Sequence, residues 1–384
     1  MGPTMIPLRV TDIRRRNEKI VLRLVHSSGE RGISQSKVVQ TTGLKAPTIF
    51  RIFTSLEEMG YIEPLEGGTP QNRKGRRPLA YTVRRDVFYC IGIEFWVEFI
   101  SLGVFDFRGA SIYSKMIPLT KDENSETVVA KIVALVNEAI TVANIGRERI
   151  LGIGLGAPGQ VNLDERTIVA YPRITGMSNF PIASILEEQL GLSVFLHNNC
   201  SVIAQSEYRY GPFGQEASMF MFLLRAGVNG AFIDGGKIFL NPHGTTIEMG
   251  HISVDYDGPT CVCGARGCLE AFMTALDAQS PEGTHWLFDH LDLNASSSAT
   301  ILDLASGYLV SAVQTVSRLF SPEAFLIIAK SEPLAQALAQ RLENRYRREI
   351  SSFDNKVPRF IGRAYDMSLA QRGAANLAID TFLS

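Results

Sequence analysis

The sequence has no uninterrupted apolar run of about 18 residues, so membrane insertion is not expected. Residues Met1 to Val10 hold no apolar core followed by a cleavage site, so no secretory signal is expected there. Cysteine is scarce and odd in number: five, three of them crowded between Cys261 and Cys268. That excludes a disulfide framework and points to metal ligands in a reducing compartment, making the cytoplasm the expected location. Net charge is nearly absent too, at −1. What is present, 384 residues with 45% apolar and 20% charged, describes a globular chain too long for one ordinary core. Two or three domains are expected.

The small net charge conceals an asymmetry. Residues 1–85 carry 16 Lys/Arg against 7 Asp/Glu, and residues 86–384 carry 22 against 32. A basic module joined to an acidic body suggests a polyanion at one end only. Within that module Arg14 to Ser27 reads as a helix, with Ile20 and Leu24, and Val21 and Val25, at four-residue spacing. Ser34 is placed to cap a second helix, Thr42-Gly43-Leu44 to turn, and Ala46 to Met59 to form a third, with Pro47 tolerated in its first turn. Ile49, Ile52, Phe53 and Leu56 make its core stripe, which leaves Thr48, Arg51 and Ser55 as candidate DNA-reading side chains. Short runs at Tyr61–Glu63 and Leu79–Val83 suit the strands of a wing. Between them Arg73, Lys74, Arg76 and Arg77, set among glycine and proline, suit phosphates or a minor groove.

From Phe88 onward the texture changes to alternating strands and helices, implying an α/β body of two lobes with a ligand cleft between them. The sharpest chemical signal is His251-x9-Cys261-x-Cys263-x4-Cys268. One imidazole and three thiolates form the closed tetrahedral set preferred by structural zinc, with no open position for a reactive water. Cys90 and Cys200 stand alone and read as small core residues.

The segment Glu248-Met249-Gly250-His251, continued by Cys261-Val262-Cys263-Gly264-Ala265-Arg266-Gly267-Cys268-Leu269-Glu270, resembles the signature of the ROK family (repressors, open reading frames, kinases). So does Gly154-Leu155-Gly156-Ala157-Pro158-Gly159, and the N-terminal module is similar to that of the family's repressor branch. The resemblance implies a winged helix-turn-helix over residues 1–85. It also implies an actin-like ATPase/hexokinase body over 86–384, with a small lobe at about 86–200 plus the C-terminal helix and a large lobe at about 201–365. Dimers or tetramers are implied with it.

Kinases of this family carry Glu-Asn-Asp after a strand, the aspartate being the general base; the matching residues here are His197-Asn198-Asn199. An amide cannot accept that proton, and a general base contributes roughly 10²–10⁴-fold in rate, so no catalytic residue is expected. The nucleotide loops are altered as well. Glu94-Phe95-Trp96-Val97 and Arg225-Ala226-Gly227 stand where glycine-rich phosphate loops are usual, and Ala329-Lys330-Ser331 where glycines meet the adenosine, so ATP is not expected as a cofactor. The resemblance assigns sugar contacts to Asn179, Asn198, Glu248, His251 and Glu270, with Gly159 near the cleft. Asn199 retains the capacity to bond a hydroxyl. His251 would serve twice, one ring nitrogen on zinc and the other toward the sugar. The expectation is a regulator of operator DNA that responds to a sugar or sugar phosphate. The alternatives are a hexose kinase that also binds DNA, and a regulator switched by a protein partner such as a transporter subunit.

Overall fold

The computed structural model describes residues 10–65, 79–213, 216–240, 247–277, 285–349 and 357–384. The N-terminal module starts with α1 (Val10–Ser27), which buries Val21, Leu22 and Val25. A two-residue strand, β1 (Ile33–Ser34), leads into α2 (Gln35–Thr42). The Ser34 hydroxyl accepts from Lys37 N–H at 3.3 Å, one of the amides that a helix start leaves unpaired. Then comes α3 (Ala46–Glu58), with Pro47 in its first turn and Ile49, Ile52, Phe53 and Leu56 buried. β2 (Ile62–Pro64) and β3 (Ala80–Val83) pair antiparallel, with Ile62 opposite Val83. β1 adds to the other edge of β3. The winged helix-turn-helix topology is therefore present, with one strand more than two residues of sequence could signal. Arg73, Lys74, Arg76 and Arg77 lie outside the described residues.

The body repeats one pattern twice. In the small lobe β4 (Tyr89–Phe95), β5 (Phe99–Asp106) and β6 (Ser111–Pro118) form an antiparallel meander, followed by α4 (Ser125–Val142) and β7 (Ile150–Ala157). A side sheet of β8 (Gln160–Asn162), β9 (Thr167–Ala170) and β10 (Ser178–Phe180) precedes α5 (Ile182–Leu190), β11 (Val194–Asn198) and α6 (Asn199–Tyr210). β7 and β11 run parallel to β4, giving the order β11-β7-β4-β5-β6.

The large lobe has β12 (Ser218–Leu224), β13 (Val228–Asp234) and β14 (Lys237–Ile238), then α7 (Leu269–Leu276) and α8 (Ser296–Phe320). β15 (Ala324–Ala329), α9 (Glu332–Glu349) and β16 (Arg359–Ala364) complete it in the order β14-β13-β12-β15-β16. This is the same succession of a meander and two parallel strands, the two-lobed α/β arrangement expected above. Every residue of β12 and β15 is buried, as a strand covered on both faces requires. α8 is long and apolar enough to cross a membrane by length and composition. Its Leu302, Leu309, Val313 and Val316 face the large-lobe core instead.

The last helix, α10 (Met367–Leu383), leaves the large lobe after β16 and packs on β4 and β7 of the small one. Glycines permit the approach: a Cβ on Gly92 would lie 1.8 Å from the Gln371 carbonyl oxygen, and one on Gly154 1.7 Å from that of Ala374. The far end of α10 belongs to the same core as the N-terminal module, where Ala378, Ile379 and Leu383 join Val21, Leu22 and Val25. Arg23 Nη2 donates to the Leu383 carbonyl at 2.6 Å, and Arg108 reaches Glu63 at 2.6 Å. Phe88 stacks edgewise on Phe107 and Phe382 between them. The chain passes from β3 to β4 between Val83 and Tyr89, but the hydrophobic core continues across that boundary.

Candidate functional site

His251 closes a single helical turn after Glu248, and Cys268 precedes α7; the intervening loop carries Cys261 and Cys263. Their ligand atoms all lie within 4.8 Å of one another. Cys263 and Cys268 Sγ are 3.7 Å apart, and Cys261 Sγ is 3.6 Å from His251 Nδ1. A tetrahedral ion with metal–sulfur bonds of about 2.3 Å and metal–nitrogen bonds of about 2.0 Å has edges of about 3.8 and 3.6 Å. The four side chains therefore fit an ion of zinc's size. With Nδ1 turned to the sulfurs, Nε2 of His251 is the ring nitrogen left for the cavity that this histidine lines.

That cavity, of about 680 Å³, lies between the lobes and is lined by Gly159, Asn199, Glu248, His251 and Glu270 among others. Glu270 Oε2 accepts the Val228 N–H at 3.2 Å, which fixes one carboxylate oxygen on the large lobe. Burial, opposed by His251 and reinforced by Glu270, pushes the Glu248 carboxyl above its ordinary range. Gly159 turns with φ +73°, and a Cβ there would meet the Ala170 carbonyl oxygen at 2.3 Å, so the backbone approaches the cavity only because the residue is glycine.

Two residues expected at the sugar are placed elsewhere. Asn198 is buried: its Oδ1 accepts from Ser201 N–H and caps α6, while its Nδ2 donates to the Gly159 carbonyl at 2.8 Å. It braces the glycine turn rather than lining the cavity. Asn179 is exposed on β10 with φ +48° and is not among the residues lining the cavity. His197, by contrast, is a satisfied core histidine. Burial pushes its pKa down to about 4, and its Nδ1 accepts the Asn198 N–H at 2.8 Å.

Elsewhere in the lining the segments 94–97 and 225–227 meet, with Gly227 lying against the Glu270 carboxylate. Glu94 on β4 and Arg225, the residue after β12, form an ion pair of 2.6 Å with 0% and 3% side-chain exposure. The Tyr365 hydroxyl donates to the other Glu94 oxygen. The guanidinium carbon lies 4.5 Å from the Trp96 ring centre, 4.4 Å from Tyr365 and 5.1 Å from Trp286. Burial works against the Arg225 charge, but Glu94 and Tyr365 outweigh it and hold the group above its ordinary value. Burial first, then Glu94, raises the Tyr365 phenol well above the usual range. Sequence reading registered Glu94, Trp96 and Arg225 as lost glycines and missed Tyr365 and Trp286 altogether. The signal available was one charged residue directly after the seven buried residues of β12. Arg173, also missed, reaches across the cleft to donate Nη2 to the Ala226 carbonyl at 2.8 Å. The adenosine-side segment is likewise engaged, with Lys330 Nζ 2.7 Å from Asp289.

On α3 Arg51 is exposed, whereas Thr48 and Ser55 are half-buried. At 100° per residue those two flank the stripe of Ile49, Ile52, Phe53 and Leu56, and the centre of the free face passes through Pro47, Phe50, Arg51 and Thr54. Phe50 is 61% exposed, large for an aromatic side chain on a helix with an otherwise complete core.

Three comparisons with known proteins bear on this site. The sequence model of the ROK family matches residues 90–381. The xylose repressor of Bacillus subtilis (strain 168) is 24% identical over 391 residues, covering 97% of each chain. That of Caldicellulosiruptor bescii is 27% identical over 262 residues, 68% of this chain, and the match spans 64% of the relative's length. Among solved structures, a ROK family transcriptional regulator described as a homologue of the E. coli MLC protein superposes with a TM-score of 0.77 at 18% identity. It covers 97% of this chain and 98% of its own, a likeness of fold.

Proposed function

The chain belongs to the ROK family, and from that premise we propose that it is a sugar-responsive transcriptional regulator, a repressor of carbohydrate-metabolism genes. It binds operator DNA in the cytoplasm as a dimer or tetramer. The observation that carries this reading is the junction of two parts: a basic winged module, and a cleft that holds Glu248, His251, Glu270 and Asn199 open while its nucleotide end is closed. Asn199 offers no general base, so the cleft recognises a sugar without phosphorylating it. Zinc on His251, Cys261, Cys263 and Cys268 is structural. It supplies no reaction, and orients His251 and the start of α7, which carries Glu270.

Paired carboxylate and amide contacts to adjacent hydroxyls favour the closed cleft. α10 is the element through which closure reaches the DNA: it begins beside Tyr365, lies along β4 and β7, and ends in the core of α1. In a two-fold dimer, a small rotation there re-spaces the two copies of α3. A ligand that distinguishes the two states by about 1–3 kcal/mol suffices for such a switch. Arg51 contacts a guanine edge and Phe50 a thymine methyl, with the cations of the wing on phosphates.

The test is an operator titration. Duplexes are selected from a random-sequence pool by the protein itself, and binding is followed by anisotropy with and without xylose, glucose, mannose and N-acetylglucosamine. One sugar should change the operator Kd by about 5–150-fold. Arg51→Ala should weaken operator binding without altering the sugar response. Indifference to every sugar and sugar phosphate, with operator binding intact, would sink the sensing reading in favour of a protein partner.

A further inference from the structure

The polar groups of the cleft are unevenly available. At the sugar-facing end Glu248 and Glu270 point carboxylates into the cavity beside His251. If a divalent ion sits on three thiolates and a neutral imidazole, that cluster carries a net charge of about −1. Among the described residues lining the cavity, the arginines are Arg173 and Arg225. Arg173 is already bonded to the Ala226 carbonyl. Arg225 is neutralised by Glu94 at 2.6 Å, and its Nε and Nη2 have no hydrogen-bond acceptor within the protein while three aromatic rings surround it.

Indole and phenol faces hold a desolvated guanidinium by their quadrupoles, and they offer nothing to a phosphate. Trp96 and Cys200, the residue after Asn199, belong to one buried cluster, and Trp96, Arg225 and Asn199 line the same cavity. Tyr171 holds the turn after Trp96 by accepting the Val97 N–H at 3.2 Å. A phosphate brought to this end would meet indole and phenol faces and a guanidinium whose charge Glu94 already offsets, not a free cation.

We propose that Glu94, Arg225, Trp96, Trp286 and Tyr365 form a built-in plug at the phosphoryl end of the cleft. The plug restricts the ligand to an uncharged monosaccharide and shuts out sugar phosphates and nucleotides alike. The proposal rests on the sugar-sensing reading and narrows its ligand class. The two arginines look at first like an anion subsite; the pairing of one and the bonding of the other reverse that impression. Glu94 is the specificity-determining group, because it converts a buried cation into a neutral wall.

Calorimetry on the full-length, zinc-loaded protein tests this with free and phosphorylated ligands side by side: glucose, mannose, N-acetylglucosamine and xylose, the hexose 6-phosphates, and Mg-ATP. One neutral sugar should bind saturably, its phosphate ester at least about 30-fold more weakly, and Mg-ATP not measurably. Glu94→Gln keeps the shape and one acceptor, turns the Tyr365 contact into one in which the phenol oxygen accepts, and frees the Arg225 charge; it should improve the phosphate ester relative to the free sugar by about tenfold. A phosphate ester that binds the native protein as tightly as the free sugar overturns the proposal while leaving sensing intact. So does an unchanged preference in Glu94→Gln that still binds the free sugar. Silence toward every compound, in protein that still binds operator, overturns the sensing reading itself and this inference with it.

Discussion

The two ends of the cleft are built from opposite materials. At one end carboxylates, an amide and an imidazole line the cavity beside a loop of four candidate metal ligands and a glycine turn. At the other, the Glu94 carboxylate is held by Arg225 and Tyr365 among aromatic rings, and Arg225 Nε and Nη2 are left without an acceptor. The strand frame at both ends is the same pattern used twice, so the difference lies in side chains placed on equivalent hairpins. A fold that needs glycines to let backbone amides approach a phosphate can instead bury an ion pair there, and the lobes remain joined.

Emptying the metal loop should have the largest effect and would break the comparison from the open side. Chelation, or Cys268→Ser, removes the constraint that positions His251 and Glu270, and leaves thiolates crowded with no ion between them. Structural zinc contributes free energy on the scale of folding itself, about 10–16 kcal/mol in isolated finger peptides, although the loop here is braced by the rest of the lobe. Sugar affinity by calorimetry should fall at least about 100-fold and return when zinc is restored. Affinity retained after complete chelation would show that the carboxylates are held by the lobe alone.

The closed side should break next. Arg225→Met leaves Glu94 buried and unpaired, and should cost about 3–5 kcal/mol of stability by denaturant titration. Adding Glu94→Gln to it removes the orphaned charge, and most of the loss should return, since buried ion pairs are often replaceable by neutral side chains of similar size. Equal losses in the single and double variants would mean that the rings, not the ion pair, order this end.

How much of this was legible beforehand depended on the distance over which the determinants act. The helices of the N-terminal module, the strand Ile150–Ala157 and the hairpin from Tyr89 announce themselves by local periodicity and turn residues. The metal set is legible because its ligands fall in a fixed spacing that few other chemistries require. Glu94 and Arg225 are 131 residues apart, and nothing local in either segment names the other. Sequence could register the loss of glycines and not the bond that replaced them. Asn198 carries the right chemistry for a hydroxyl, but it stands at a helix start, where unpaired amides compete for its oxygen. On α3 the core stripe was readable, while the free face was set one step off, because Thr48 and Ser55 are polar and Phe50 is not. Polarity served as a proxy for exposure, and an exposed phenylalanine defeats it.

A second buried carboxylate sharpens the contrast with Glu94 at the smallest scale. Glu207 on α6 is 1% exposed and faces Arg363 of β16, with Oε2 3.2 Å from the arginine Nε. Burial raises its pKa to about 7, Arg363 opposes the rise, and Asp366 adds to it. It has one arginine in a poorer geometry, without the tyrosine donor that Glu94 enjoys. Because the folded-state pKa lies above the unfolded one, the folded state binds more protons between about pH 4.5 and 7. The contribution of Glu207 to stability is therefore complete below that window and is lost as the pH climbs through it. Glu207→Gln cannot ionise, so it should flatten this part of the stability profile. A gain on the order of 1–3 kcal/mol is expected above pH 7, and little change near pH 4. Parallel profiles for the native protein and Glu207→Gln, measured by urea unfolding from pH 4 to 8, would show that Arg363 compensates its carboxylate as fully as Arg225 compensates Glu94.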